Sequence, residues 1–177
     1  MSRPAVPKAN TEALLREGTP VSPVDPLAAP ALAHFADLRV EVGRPEVLSH
    51  GPRGMRRLVP ITGGEARGQG WSARVLPGGT DFQLIVSDTL SELDARYGLE
   101  TDAGDLIYVQ NHAVRSAPAE VMAKLLRGEP VDPAQVYFRC NPRFETASKA
   151  LGWITDRMFV GVGVRHPAEV VMRFFSL

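Results

Sequence analysis

Short alternating segments, each cut off by glycine, proline or aspartate, fill almost all of this chain after residue 31. In "FADLRVEV" Leu38, Val40 and Val42 share one face, and Arg39 and Glu41 the other. "DFQLIVS" sets Phe82, Leu84 and Val86 against Asp81, Gln83 and Ile85. "SELDARYGLET" gathers Leu93, Ala95, Tyr97 and Leu99, and "DLIYVQNHA" sets Leu106, Tyr108, Gln110 and His112 against Ile107, Val109 and Asn111. "MRRLVPIT", "QVYFRCN", "RMFVGVGVRH" and "AEVVMRFFSL" are further strand candidates. A period of two cannot bury one face of a helix, so these segments predict strands of an antiparallel sandwich or barrel.

One segment departs from that period. "SAPAEVMAKLLRGEP" predicts a helix, with Ser116 as N-cap, Pro118 in the first turn and Gly128 at its end. Val121, Met122 and Leu125 would form its apolar stripe, enough to lid a barrel mouth or pack on its outside. Residues 1–30 hold six of the 15 prolines and read as a Pro-rich N-terminal extension, with a short helix after Asn10; residues 31–177 are the folded domain.

The 177 residues carry 20 basic and 20 acidic side chains, so no net field draws the chain to nucleic acid or to an anionic membrane. No apolar run of membrane-spanning length occurs, and the first residues lack the apolar stretch of a secretion signal, so a cytoplasmic location is expected. A single cysteine, Cys140, excludes an internal disulfide, and its segment shows nothing that would lower its pKa, so a buried, inert thiol is expected. The four histidines are scattered, so no metal site is expected.

"GQGWSA" (residues 68–73) matches a dinucleotide-binding spacing. That motif needs a helix N-terminus behind its glycines to hold a pyrophosphate. Here "RVLPGGTD" follows, and Pro77 with two glycines would stop a helix within two turns. The stretch reads instead as a bent strand, with Gly68 and Gly70 thinning it where another backbone comes close. No cofactor is expected.

"PITGGEARGQG", "LPGGTDFQLI", "LDARYGLET", "IYVQN", "YFRCNPRFET" and "GWITDRMFVGVG", in that order, resemble a bacterial family known as domain of unknown function 3237. The resemblance runs from about Ala33 to Phe175. The segments themselves make a mostly β, antiparallel protein of about eight to nine strands with one inserted helix, and the resemblance implies that they form a single β-barrel, similar to allene oxide cyclase and dirigent barrels. The chain departs from the family pattern at Phe82, at Ala103-Gly104-Asp105 and at Ala113.

A closed barrel of this size can hold one small ligand, and the polar residues of the family-like segments are the candidates to meet it. The expected catalytic groups are Asp81, Tyr108, Arg139 and Glu145, with Arg96, Tyr97, Asn111, His112, Phe144 and Trp153 binding substrate. A Tyr108-Gln110-His112 face reads as a polar lumen, and Glu145, after Pro142, as lying past its strand near the mouth. Arg96 and Tyr97 are neighbours on one strand, so at most one can face inward. A buried arginine–carboxylate network that only closes the barrel is the plainer alternative for the set. The reaction expected is that of a cofactor-independent isomerase, cyclase or lyase, with an aromatic, polyketide- or terpenoid-like carbonyl or enol compound as substrate. The alternative is a lipocalin-like carrier with the same cavity and no catalysis. A third reading is a structural or assembly protein with a filled barrel, its function carried by the N-terminal arm, and a homodimer is plausible under any of the three.

Overall fold

The computed structural model describes residues 27–177, and Ala31–Leu177 form one compact unit. The helix expected after Asn10 lies outside the described residues. The elements are β1 (Ala33–Val42), β2 (Glu46–Gly51), β3 (Gly54–Gly68), β4 (Trp71–Val75), β5 (Gly79–Ile85), β6 (Leu90–Thr101), β7 (Leu106–Ser116), α1 (Ala119–Arg127), β8 (Tyr137–Thr146), β9 (Phe159–Arg165) and β10 (Glu169–Ser176). Short 3-10 turns at Pro133–Gln135 and Gly152–Asp156 flank β8.

The ten segments make a closed, antiparallel eight-stranded barrel with two extra strands. β1 and then β2 pair along the same edge of β3. On the other edge, β4 and then β5 fill the place between β3 and β6. The ring continues through β7, β8, β9 and β10, and β1 closes it by pairing with both β10 and β3. Closure leaves each main strand with two neighbours and encloses one face of the sheet completely.

Alternation then fills the inside. β6 turns in Leu93, Tyr97 and Leu99, and its register against β7 (Tyr97↔Val109, Leu99↔Ile107) brings Val109 and Ile107 in beside them. Phe138, Cys140 and Phe144 enter from β8, and Met172 and Phe174 from β10. A register shift between His34 and Ala36 lets both Phe35 and Ala36 be buried. Phe35 then meets Phe144 and Phe159 at ring-centroid distances of 5.4 and 4.8 Å, and Phe144 meets Phe174 at 6.1 Å. These rings plug one half of the barrel.

The glycine-rich stretch is a tight hairpin between β3 and β4, not the bent strand expected. Gly70 takes the turn at φ 76°, a left-handed conformation that suits glycine. Gly68 makes room for Trp71: a Cβ at Gly68 would lie 2.1 Å from the indole nitrogen. Gly64 has a different reason, because its φ is 127° and a Cβ there would fall 2.0 Å from the Arg39 carbonyl oxygen. No helix follows Gly70, so no pyrophosphate cradle forms.

At the opposite end α1 packs across the strands. Val121, Met122 and Leu125 are buried, Met122 meets the Ser91 hydroxyl at 3.8 Å, and Arg57 donates to the Leu126 carbonyl at 3.3 Å. Gly128 terminates the helix in a left-handed turn. Ser116 is not the cap: it is the last residue of β7, and Pro118 begins the helix without a side-chain cap. No described helix is long and apolar enough to cross a membrane.

Two outcomes check this packing. Gly68→Ala should push Trp71 off its seat, changing its fluorescence and costing about 1–3 kcal/mol in denaturant unfolding. Leu125→Ala should cost about 2–5 kcal/mol by the same measurement, because the cavity it leaves lies under the helix.

Candidate functional site

Strand parity divides the candidate residues into two groups. Asp81, Tyr97, Asn111 and Phe144 face the barrel interior. Tyr108, Arg96, His112, Arg139 and Glu145 lie on the outer wall and are exposed. The expectation that the Tyr108-Gln110-His112 face lines the lumen is therefore corrected. The cause is register: Ala95 pairs with Asn111 and Tyr97 with Val109, so once Leu93, Tyr97 and Leu99 turn inward the even-numbered residues of β7 must turn out. Glu145 is corrected too, because β8 runs through Pro142 to Thr146 and carries Glu145 outward opposite Tyr108.

The outer group still assembles, but in solvent. Asp94 accepts from Arg96 Nη2 at 2.8 Å and from Gln110 Nε2 at 3.2 Å, with His112 Nδ1 3.7 Å away. Arg139 stacks over the Tyr137 ring at 5.0 Å. Exposed pairs of this kind add little stability.

Inside, polar groups converge on the half of the barrel nearer α1. A cavity of about 40 Å³ is bounded by Asp81, Tyr97, Asn111 and apolar neighbours that include Leu93, Phe138 and Met172. Asp81 Oδ1, Tyr97 Oη and Asn111 Oδ1 are buried without a hydrogen-bond partner. Asp81 is partly exposed as a residue, yet its carboxyl is enclosed, and burial raises its pKa. The Gln83 amide donates to its other oxygen, and Arg57 Nε donates to Gln83 Oε1 at 2.7 Å. Arg115 and Arg57 also act on the carboxyl electrostatically and favour its charge.

Burial likewise pushes the Tyr97 phenol well above its ordinary range, so its hydroxyl stays a neutral donor. Asn111 Nδ2 donates to the Met172 sulfur at 3.4 Å, a weak acceptor. The Cys140 thiol lies against Asn111, and burial pushes its pKa up to about 11, so it remains protonated, as expected for an inert thiol. Among the described residues, the only other buried side-chain nitrogens or oxygens without partners are Nε and Nη2 of Arg115, which also lies in this half of the barrel.

Trp153 is placed elsewhere. It stands half-exposed at the far mouth, beside a cavity of about 570 Å³ also lined by Phe35, Trp71, Asp102 and Asp105. Phe144, buried in the aromatic plug, lies between that mouth and the polar cavity. Among the described residues, no group of three or more His, Cys, Asp or Glu side chains is arranged to hold a metal ion.

Three interior residues were missed from the sequence: Gln83, Arg57 and Arg115 are 3 %, 6 % and 1 % exposed. A signal for them existed. Arg57 shares parity with Val59 and Ile61, and Arg115 with Asn111 and Val109. An arginine on an otherwise apolar face marks a buried charge once the inward face is known.

Known proteins share this architecture. The model of a family described as "Protein of unknown function (DUF3237)" matches residues 30–177. A UPF0311 protein of Rhodopseudomonas palustris, RPA1785, is 50 % identical over 119 residues, covering 67 % of this chain and 78 % of that protein. Its crystal structure, described as a conserved protein of unknown function, aligns with a TM-score of 0.78 at 40 % identity over 84 % of this chain and 99 % of that one. A beta-barrel like protein from Acinetobacter baumannii aligns with a TM-score of 0.72 at 34 % identity, over 82 % and 94 % of the two chains. A structure described as an enzyme from Penicillium herquei shares the fold at 17 % identity, with a TM-score of 0.62 over 83 % and 93 %. By the family match and the identity to RPA1785, this chain belongs to the DUF3237 family of β-barrel proteins of unknown function.

Proposed function

We propose that the barrel interior beside Asp81 is the reaction site of a cofactor-independent isomerase, cyclase or lyase that acts on a small, largely apolar carbonyl or enol compound. The convergence of three unpartnered buried polar atoms, Asp81 Oδ1, Tyr97 Oη and Asn111 Oδ1, on one apolar-walled cavity carries this reading. Buried polar groups are almost always satisfied, so three left open together favour a complementary ligand. The Penicillium herquei neighbour lends the reading a precedent on this fold but no particular reaction.

In this reading Asp81 removes a proton from the carbon beside the carbonyl. The C–H electron pair becomes the new C=C bond, and the carbonyl π pair moves to oxygen, where the Tyr97 hydroxyl donates to it. Where a C=C is conjugated with the resulting enol, return of the proton to its far carbon shifts the double bond and isomerises the substrate. Attack of the enol carbon on a second carbonyl breaks that C=O π bond and cyclises the substrate, the new alkoxide taking the proton back from Asp81. A carboxyl whose pKa burial has raised from the usual value is suited to both halves of that transfer. The Arg57–Gln83–Asp81 chain holds the carboxyl in place while it changes charge.

The cavity's 40 Å³ admits only the reacting end of a substrate. The rest requires a wall to yield, and Met172, an unbranched thioether, is the wall group best able to do so. Tyr108, Arg139, Glu145, Arg96 and His112 take no part, since they stand outside the barrel.

Exchange of α-protons in D₂O tests the reading without knowledge of the natural substrate. The folded protein should speed deuterium uptake by members of a panel of small cyclic and aryl ketones, and Asp81→Asn should lower the rate by about 10²–10⁴-fold. Ketones that bind with no exchange beyond buffer, in both proteins, would sink the enzyme and leave a carrier.

Stability against pH gives a second check. The folded Asp81 pKa lies above its ordinary 3.8, so above that pH the native state holds a proton that the unfolded state has released. Stability from this group therefore falls as pH rises. Wild type should lose stability relative to Asp81→Asn from about pH 4 upward, by at most about 1.4 kcal/mol per pH unit. Parallel curves for the two proteins would show that Asp81 titrates normally.

A further inference from the structure

A groove of about 320 Å³ opens at the α1 end of the barrel, and four arginines line it: Arg44, Arg57, Arg127 and Arg165. Among the described residues, no aspartate or glutamate lines it. The whole chain has equal numbers of acids and bases, so this is local segregation of charge and not a consequence of composition. Arg127, at the exposed rim, is paired with Glu129. Among the described residues, the two deeper arginines have only neutral acceptors. Arg57 donates to the Gln83 side chain and the Leu126 carbonyl, and Arg165 to the carbonyls of Glu169 and Pro167, each at 3.1 Å.

Arg115 adds to the imbalance. It is 1 % exposed, its Nε and Nη2 have no acceptor, and it is electrostatically coupled to both Arg57 and Arg165. Burial first, and then Arg57, depress its pKa to about 10. Asp81 is the carboxyl that couples to all three arginines, and it resists ionisation itself. The C-terminal end of α1, at Leu126, offsets part of the charge of Arg57. Three guanidinium groups against one reluctant carboxyl leave a buried excess of positive charge, which is costly unless an anion relieves it.

We propose that this groove is a binding site for an oxyanion, a carboxylate or phosphate group, held by the N–H groups of Arg57 and Arg165 that Gln83 and the backbone carbonyls leave free, with Arg44 at its entrance. A planar guanidinium presents paired N–H groups that match two oxygens of such a ligand, and their bonds are stronger for being charge-assisted. The inference concerns binding alone and does not depend on proton transfer at Asp81.

Titration calorimetry and thermal unfolding with inorganic phosphate and, separately, benzoate test it, with chloride holding ionic strength constant. At least one anion should bind saturably and raise Tm, and the arm that responds identifies the group as phosphate or carboxylate. Arg165→Met should weaken that binding by about tenfold or more. Arg139→Met, on the outer wall, should leave it unchanged. Because Arg57 also supports α1, Arg165→Met and Arg44→Met are the variants to use, with Tm in chloride alone as a check that each is folded. Absence of saturable binding by both anions at millimolar concentration, or equal affinity in wild type and Arg165→Met, would overturn the proposal.

Discussion

The double pairing of β1, with β10 on one side and β3 on the other, is the constraint on which the rest of the barrel depends. It turns an open sheet into a ring, and only in a ring does one face become an interior. The features that serve this closure are local and specific. Gly64 accepts a left-handed backbone where Arg39 of β1 presses against β3, and the register shift near His34 swings Phe35 inward to meet the rings of β8 and β9.

The interior is divided along its length. Toward the far mouth it is packed with Phe35, Phe144, Phe159 and Phe174, which gain both area burial and ring contacts. Toward α1 the lining changes to Asp81, Tyr97, Asn111, Gln83, Arg57 and Arg115. A barrel that needed only to be stable would continue the apolar packing, since each buried polar group must recover its lost hydration through a partner. Five side-chain atoms here do not. Stability is given up in this half, and the aromatic half together with the helix supplies it.

Asp81 connects the two functional proposals. It faces the small cavity through its open oxygen, reaches Arg57 through Gln83, and feels Arg115 and Arg165 through space. Burial opposes its charge while the arginines favour it, and a carboxyl held between such opposed influences is one that can change protonation state. Burial also opposes the charge of the Cys140 thiol on β8, and there Asn111 and Arg139 do not offset it, so the thiol stays protonated.

By itself the sequence determined the class of fold, the helix α1 and its glycine stop, and that Leu93, Tyr97 and Leu99 share one face of β6, because period and turn chemistry are local properties of the chain. It also marked Asp81, Tyr97 and Asn111 as residues to watch. It could not assign β7 or β8 to inside or outside: Leu106, Tyr108 and Val114 are as apolar as Ile107 and Val109, and each face of β7 carries polar residues. Only the cross-strand register to β6 resolved that, turning Tyr108, His112, Arg139 and Glu145 outward and Arg115 inward. The arginine cluster around Asp81 comes from β3, β7 and β9, far apart in the chain, so its excess charge exists only once the ring has closed.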